Sequence, residues 1–217
     1  MAERPILMSA PMVRAILAGT KTQTRRVVKQ ATGPSLSVGM DDATPGVAEL
    51  SWLYGDGPGH DVHEAIKRVP CPYGKPGDLL WVREAFFHEP ADYCWEASVS
   101  IPCRPASTVY RADYEGDTRG TGWKPSIHMP RALSRITLRV TDVRVERLGD
   151  ISEADAVAEG IERRGPGWAW YTDAKAYTTD PRTSYRDLWE SINGSGSWDA
   201  NPWVWCLTFE RVESGNG

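Results

Sequence analysis

"AILAGTKTQTRR" (residues 15–26) is the stretch on which the fold turns, because the chain changes period within it. Upstream, residues 9–18 place Met12, Ile16 and Leu17 at helical spacing, with Ser9 positioned as an N-cap and Pro11 near the first turn. Gly19 fits the stop of that helix. Six of the next seven residues are Thr, Lys or Arg, and residues 23–29 read as extended. Side chains alternate along a strand, so Lys21 and Thr24 converge only if the chain bends between residues 20 and 24. Gly19 and the threonine run allow such a bend. A plainer account is a helix C-terminus whose carbonyls and dipole are answered by cations. A phosphate clamp is weaker, because no Gly-rich loop accompanies the stretch and the chain is acidic overall.

Working outward, residues 76–87 (PGDLLWVREAFF) read as a turn and a strand. Leu80, Val82 and Glu84 fall on one face, and Leu79, Trp81 and Arg83 on the other. Residues 108–114 give a further strand. The strongest strand region lies within residues 123–148: Ile136, Leu138, Val140, then Val143 and Val145 alternate with polar residues, with a break at Thr141-Asp142. Residues 150–160 predict a helix capped by Ser152 with acids in its first turn. Residues 183–194 predict an amphipathic helix ending at Asn193-Gly194, and residues 203–212 a final strand. Residues 30–70, 88–107 and 162–180 lack clear periodicity and read as insertions into one domain spanning 1–217. Strands from distant parts of the chain pairing around few helices suggest an α+β fold, a small β-barrel with flanking helices.

The 217 residues are 41% hydrophobic and 25% charged, a balance that supports a buried core. The net charge of -4 argues against a protein that coats nucleic acid, without excluding a local basic pocket. Four cysteines without C-x-x-C spacing, no signal peptide and no apolar run of membrane length predict a cytoplasmic chain with reduced thiols. The 10 Trp suit core packing or base-stacking surfaces. His60, His63 and Cys71 have no fourth ligand at a recognised spacing, so neither a metal nor another cofactor is expected.

Gly19-x-Lys21-x-x-x-x-Arg26 matches the G-x-K-x-x-x-x-R signature of the ASCH domain, a relative of the PUA-like RNA-binding barrels. It stands between a short helix and a strand, as in that family. "GDLLWVRE", "ITLRVTDVRVERLGDISEADAVAEGI" and "WVWCLTFERV" extend the resemblance over most of residues 5–212 outside the insertions. The long form, with "KPSIHMPR" and "GSWDANPWVW", looks like members carried by phages and prophages, which implies a host cytoplasm. Some small ASCH proteins remove the acetyl group from N4-acetylcytidine, with a motif G-x-K-T-x-T-x-R. Against that motif Lys21 and Thr24 match position for position, and Glu159 corresponds to the family's glutamate. The resemblance therefore implies an amidohydrolase acting on an N4-acylated cytosine nucleoside or related modified base. The alternatives are a PUA-like module that binds RNA or a modified nucleotide, or a ribonuclease.

In the enzyme reading, Thr24 attacks the acyl carbonyl and Lys21 takes its proton. That role requires burial or cationic neighbours such as Arg25 and Arg26 to lower the lysine pKa. Glu159 either orients Lys21 or hydrogen-bonds the cytosine edge. A water-based variant uses Glu159 as base and Lys21 as oxyanion stabiliser. Arg26 is the expected support, and Gln23 and Arg25 are expected to face elsewhere. Substrate-binding candidates are Arg26, Trp81, Arg83, Glu84 and His128. Trp81 can stack on a base and Glu84 can pair with Lys21 or Arg26. The plain alternatives are an ordinary strand with a surface ion pair, and a structural histidine. Residues 164–177 read either as an aromatic lid or as a loosely packed insertion. The five arginines of 131–147 form a possible basic stripe, which alternating faces would split. The sequence gives no oligomeric state.

Overall fold

The helix-to-strand switch at Gly19 carries the chain from a helix into an edge strand of a five-stranded sheet. A computed structural model describes residues 1–31, 36–54, 63–89, 92–96, 99–104, 107–114, 122–173 and 175–212. The strands β1 (Glu3–Leu7), β2 (Gln23–Val27), β3 (Leu79–Arg83), β4 (Thr137–Arg147) and β5 (Trp203–Val212) form one sheet, in the order β1-β3-β4-β5-β2. β1 runs parallel to β3, and the other neighbours are antiparallel. The helices are α1 (Ala10–Leu17), α2 (Glu153–Ala158) and α3 (Pro181–Asn193). The fold is α+β, mostly strand, with few helices beside the sheets.

β4 shows why its sequence carries a break. Leu138 and Val140 are even-numbered, Val143 odd, so an unbroken strand would send them to opposite faces. The register shifts between Val140 and Asp142, a β-bulge that returns Val143 to the face of Leu138 and Val140. The two segments expected on either side of Thr141-Asp142 are therefore one strand. β5 is buried on both faces. Trp205, Leu207 and Phe209 join a core with α1, whereas Val204 and Cys206 join a second core with α2 and α3.

The helix ends follow their signals. Ser152 Oγ accepts from Asp155 N at 3.1 Å and starts α2. Asp180 caps α3 ahead of Pro181, and the helix ends at Gly194. Ser9 precedes α1, but its side chain makes no capping bond.

The three aperiodic regions contain regular structure. Ser37–Met40, Val47–Tyr54 and His63–Pro70 form an antiparallel sheet whose Val38, Ala48, Leu50 and Val69 enter the first core. Asp92–Glu96 pairs with Val99–Arg104, and Phe86–Glu89 with Ser107–Tyr110. Arg163–Arg164, Gly167–Ala169 and Tyr177–Thr178 form a small sheet against α3, fastened by Ser184 Oγ donating to Ala169 O at 2.7 Å. Asp187 of α3 also accepts from the backbone of Tyr171 and Thr172. This segment packs on a helix through Trp168 and Tyr171.

The main sheet is open: among the described residues no ladder joins its edges β1 and β2. α1 connects those edges in sequence. Arg26 bridges them in space, its Nη2 donating to Leu7 O at 2.8 Å. No helix among the described residues is long and apolar enough to cross a membrane.

Candidate active site

The turn that the sequence permits falls at Gly19 and Thr20, ahead of Lys21. Gly19 has φ +75°, and the backbone N–H groups of Thr20 and Lys21 both donate to Ala15 O. From Lys21 onward the chain runs extended. Lys21 bridges Glu159, Thr22 N donates to Ala158 O at 2.9 Å, and Phe209 N donates to Thr22 O at 2.9 Å. The strand is thus pinned between the end of α2 and β5.

Lys21 and Glu159 meet. Lys21 Nζ donates to Glu159 O at 2.7 Å and to Glu159 Oε2 at 2.8 Å, and its side chain is 0% exposed. The ammonium answers the C-terminus of α2, not that of the helix before it, on which the plainer account of the stretch rests. Gly160, at φ +79°, makes this approach possible: a Cβ there would lie 2.7 Å from Lys21 Cβ.

Arg25, expected to face elsewhere, is the second cation on Glu159. Lys21, Gln23 and Arg25 share one face of the extended chain. Arg25 Nη1 donates to Glu159 Oε1 and Gln23 Oε1, both at 3.2 Å, and Nη2 to Glu146 Oε1 at 2.6 Å. Gln23 Nε2 donates to Asp155 Oδ1 at 2.9 Å, and Arg144 Nη2 to Asp155 Oδ2 at 2.8 Å. Tyr185 Oη donates to Glu159 Oε1 at 3.3 Å. Lys21, Arg25 and Arg144 therefore balance Glu146, Asp155 and Glu159. The signal for Arg25 was period two counted from Lys21. Asp155 lies one helical turn before Glu159.

Burial pushes the Lys21 ammonium below the ordinary lysine value. Glu159 opposes the shift, while Arg26 and Arg25 add to it. Burial holds the Tyr185 phenol well above its ordinary value, with the Glu159 charge adding, so Tyr185 remains a donor. A cavity of about 70 Å³, lined in part by Arg25, Arg26, Glu159, Tyr185 and Trp189, adjoins the carboxylate. A groove of about 630 Å³ runs past Ala15, Thr20, Gly160 and Trp168 on the outer side of the Lys21 turn.

Thr24 does not join this cluster. It pairs with Leu207, whereas Arg25 pairs with Cys206, so Thr24 faces the first core and Arg25 the second. Thr24 is 1% exposed, and its Oγ1 has no hydrogen-bond partner. Its proton is not within reach of the Lys21 amine, because strand alternation holds the two residues apart.

Trp81, Arg83 and Glu84 lie on β3 or directly after it, three strands from β2, and His128 lies on a separate turn. Glu84 is buried and pairs with Arg135 at 2.9 Å, not with Lys21 or Arg26. Arg135 also binds Asp113 and lies 4.0 Å from the Tyr110 ring centroid. Burial raises the Glu84 pKa, against the pull of Arg135. The guanidinium groups of Arg83 and Arg131 lie 5.1 and 6.0 Å from the Trp81 ring centroid. Arg83 Nε donates to Met129 O at 2.9 Å. His128 is exposed at the end of a single turn, Ser126–His128.

The five arginines of 131–147 are all engaged: Arg131 with Glu3, Arg135 with Glu84, Arg139 with Glu210, Arg144 with Asp155, and Arg147 with Asn201 O. Among the described residues no three His, Cys, Asp or Glu gather to hold a metal. His60 lies outside the described residues. His63 begins a strand that ends just before Cys71, about 26 Å of extended chain away. Comparisons with protein-family models, with curated proteins and with solved structures each find no match to this chain.

Proposed function

We propose that this chain is an ASCH-like amidohydrolase that removes an acyl group from an N4-acylated cytosine nucleoside or a related modified base. The observation that carries this reading is the buried Lys21–Glu159 pair, 2.8 Å apart, whose Glu159 lines a small cavity. The open sheet, with α1 and Arg26 spanning its edges, fits an incompletely zipped PUA-like barrel. The position of Thr24 favours water as the nucleophile.

In this mechanism Glu159 takes a proton from water as the water oxygen attacks the acyl carbonyl. The Lys21 ammonium stabilises the oxyanion and then protonates the departing N4 amine. The proton on Glu159 returns to Lys21 across their hydrogen bond, restoring both charges. Arg25 and Tyr185 hold Glu159 in place. The cavity is far smaller than the roughly 300 Å³ at which whole-ligand pockets begin, so it suits the acyl end of a substrate and not the nucleoside.

The test is turnover of N4-acetylcytidine followed by absorbance. The reading expects hydrolysis by the parent chain and at least a hundredfold loss in Lys21→Met and in Glu159→Gln. The pH profile separates the two mechanisms. A protonated Lys21 predicts kcat/KM falling on the alkaline side, below the ordinary lysine value of about 10.4. Lys21 acting as base predicts a rise there. No turnover of N-acylated nucleosides, or full activity in both variants, overturns the reading.

A further inference from the structure

In the sheet of Ser37–Met40, Val47–Tyr54 and His63–Pro70, the longer of the two outer strands is His63–Pro70. Among the described residues His63–Pro70 pairs only with Val47–Tyr54, so its outer N–H and C=O groups have no ladder. Such an edge is a template for another strand unless it is blunted. Here the strand is exposed along most of its length, and Ile66 is 59% exposed at its middle. Glu64, Ile66 and Arg68 alternate onto one face, where Glu64 lies opposite Leu53, itself 65% exposed.

We propose that His63–Pro70 pairs antiparallel with the same strand of a second copy of this chain, centred on Ile66. Two three-stranded sheets then become one continuous sheet across a two-fold axis. An axis perpendicular to a sheet keeps each side chain on its own face, so residues pair only with partners of the same parity. Centring on Ile66 places Ile66 against its own copy, and Glu64 against Arg68 of the second chain at both ends. Neighbouring registers are worse. Centring on Lys67 opposes two ammonium groups, and centring on Ala65 sets Glu64 against Ile66. Arg68 already reaches Glu49 at 2.9 Å and Asp41 at 3.3 Å, both in its own chain. Its five-donor guanidinium keeps N–H groups for Glu64 of the second copy. The inference is independent of the catalytic reading, since none of these residues belongs to the Lys21 cluster.

Sedimentation of the full chain over a range of concentrations reads the assembly directly. A reversible dimer is expected, with Ile66→Lys raising its dissociation constant at least tenfold. Ile66 is exposed, so circular dichroism of that variant should match the parent. Register is read by cross-linking. Directly opposed residues have Cα atoms about 4.5–5.5 Å apart, within the range a disulfide spans. Under mild oxidation Ile66→Cys should give a covalent dimer, and Lys67→Cys should not. The parent chain carries all four native cysteines and serves as the blank, so only cross-linking above its level counts. A chain that stays monomeric, a dimer unaffected by Ile66→Lys, or equal cross-linking of the two cysteine variants overturns the proposal.

Discussion

At the residue scale, Thr24 and Arg25 exchange the parts that sequence order suggests for them. Motif matching ranks Thr24 beside Lys21 because it counts positions, whereas a strand sorts side chains by parity. Parity places Arg25 on the Lys21 face and Thr24 on the other. Counting by two from Lys21 makes Arg25 legible in the sequence. The Glu146 and Arg144 contacts are not, because they depend on how β4 and β2 register through β5. The buried, unpaired Thr24 hydroxyl is a cost without compensation, worth about 1–3 kcal/mol. Thr24→Val keeps the shape and removes that hydroxyl. Thermal and urea unfolding should show a gain of about 1 kcal/mol, and the proposed hydrolysis should keep the parent rate. A Thr24→Val variant that loses N4-acetylcytidine hydrolysis while staying folded would restore Thr24 as the nucleophile.

At the element scale, what was legible depended on burial. β5 is apolar on both faces and α2 carries its own cap, so both read clearly from local sequence. The strands within residues 30–70 did not. Among the described residues of these strands, Val38, Ala48, Leu50 and Val69 are buried in the core with Met40 packed against it, and much of His63–Pro70 is solvated. A half-wet sheet with Gly, Pro and Ser between its strands leaves little period to detect. The close approach of α2 to the Lys21 strand depends on Gly160. A methyl at Gly160 would meet Lys21 Cβ at 2.7 Å and Ala15 Cβ at 2.9 Å, and φ +79° is strained for any L side chain. Gly160→Ala should therefore cost about 2–3 kcal/mol and lengthen the Lys21–Glu159 contact. Urea unfolding measures the first effect. Under the proposed amidohydrolase reading, loss of the alkaline limb in the pH profile of kcat/KM reads the second, and a variant with parent stability and profile would show that the close approach is not needed.

At the scale of the whole molecule, one polar network holds the open edge of the sheet to its helices. Gln23 and Arg25 come from β2, Arg144 and Glu146 from β4, Asp155 and Glu159 from the α2 segment, and Tyr185 from α3. Lys21, Arg25 and Arg144 in this joint already have carboxylate partners, whereas Arg26 donates to Leu7 O and Arg25 O. The same wiring predicts how stability follows pH. Burial alone would raise the Asp155 pKa, but the Gln23 hydrogen bond and the charges of Arg144 and Arg25 outweigh it and hold it below the ordinary value of about 3.9. A carboxyl with a lowered folded pKa contributes stability above its unfolded pKa and loses it as pH falls through the folded one. Glu84 acts in the opposite sense: its raised pKa favours the fold as the group protonates. Asp155→Asn should therefore be less stable than the parent at neutral pH, because Arg25 and Arg144 lose a shared anion. The gap should close in strong acid, where Asp155 is protonated in both states of the parent. Urea unfolding of the two proteins across pH 7 to about 2 measures that gap. A difference that stays constant across the range would mean that Asp155 acts through packing and not through its charge, and that β2 is held to α2 by something other than this network.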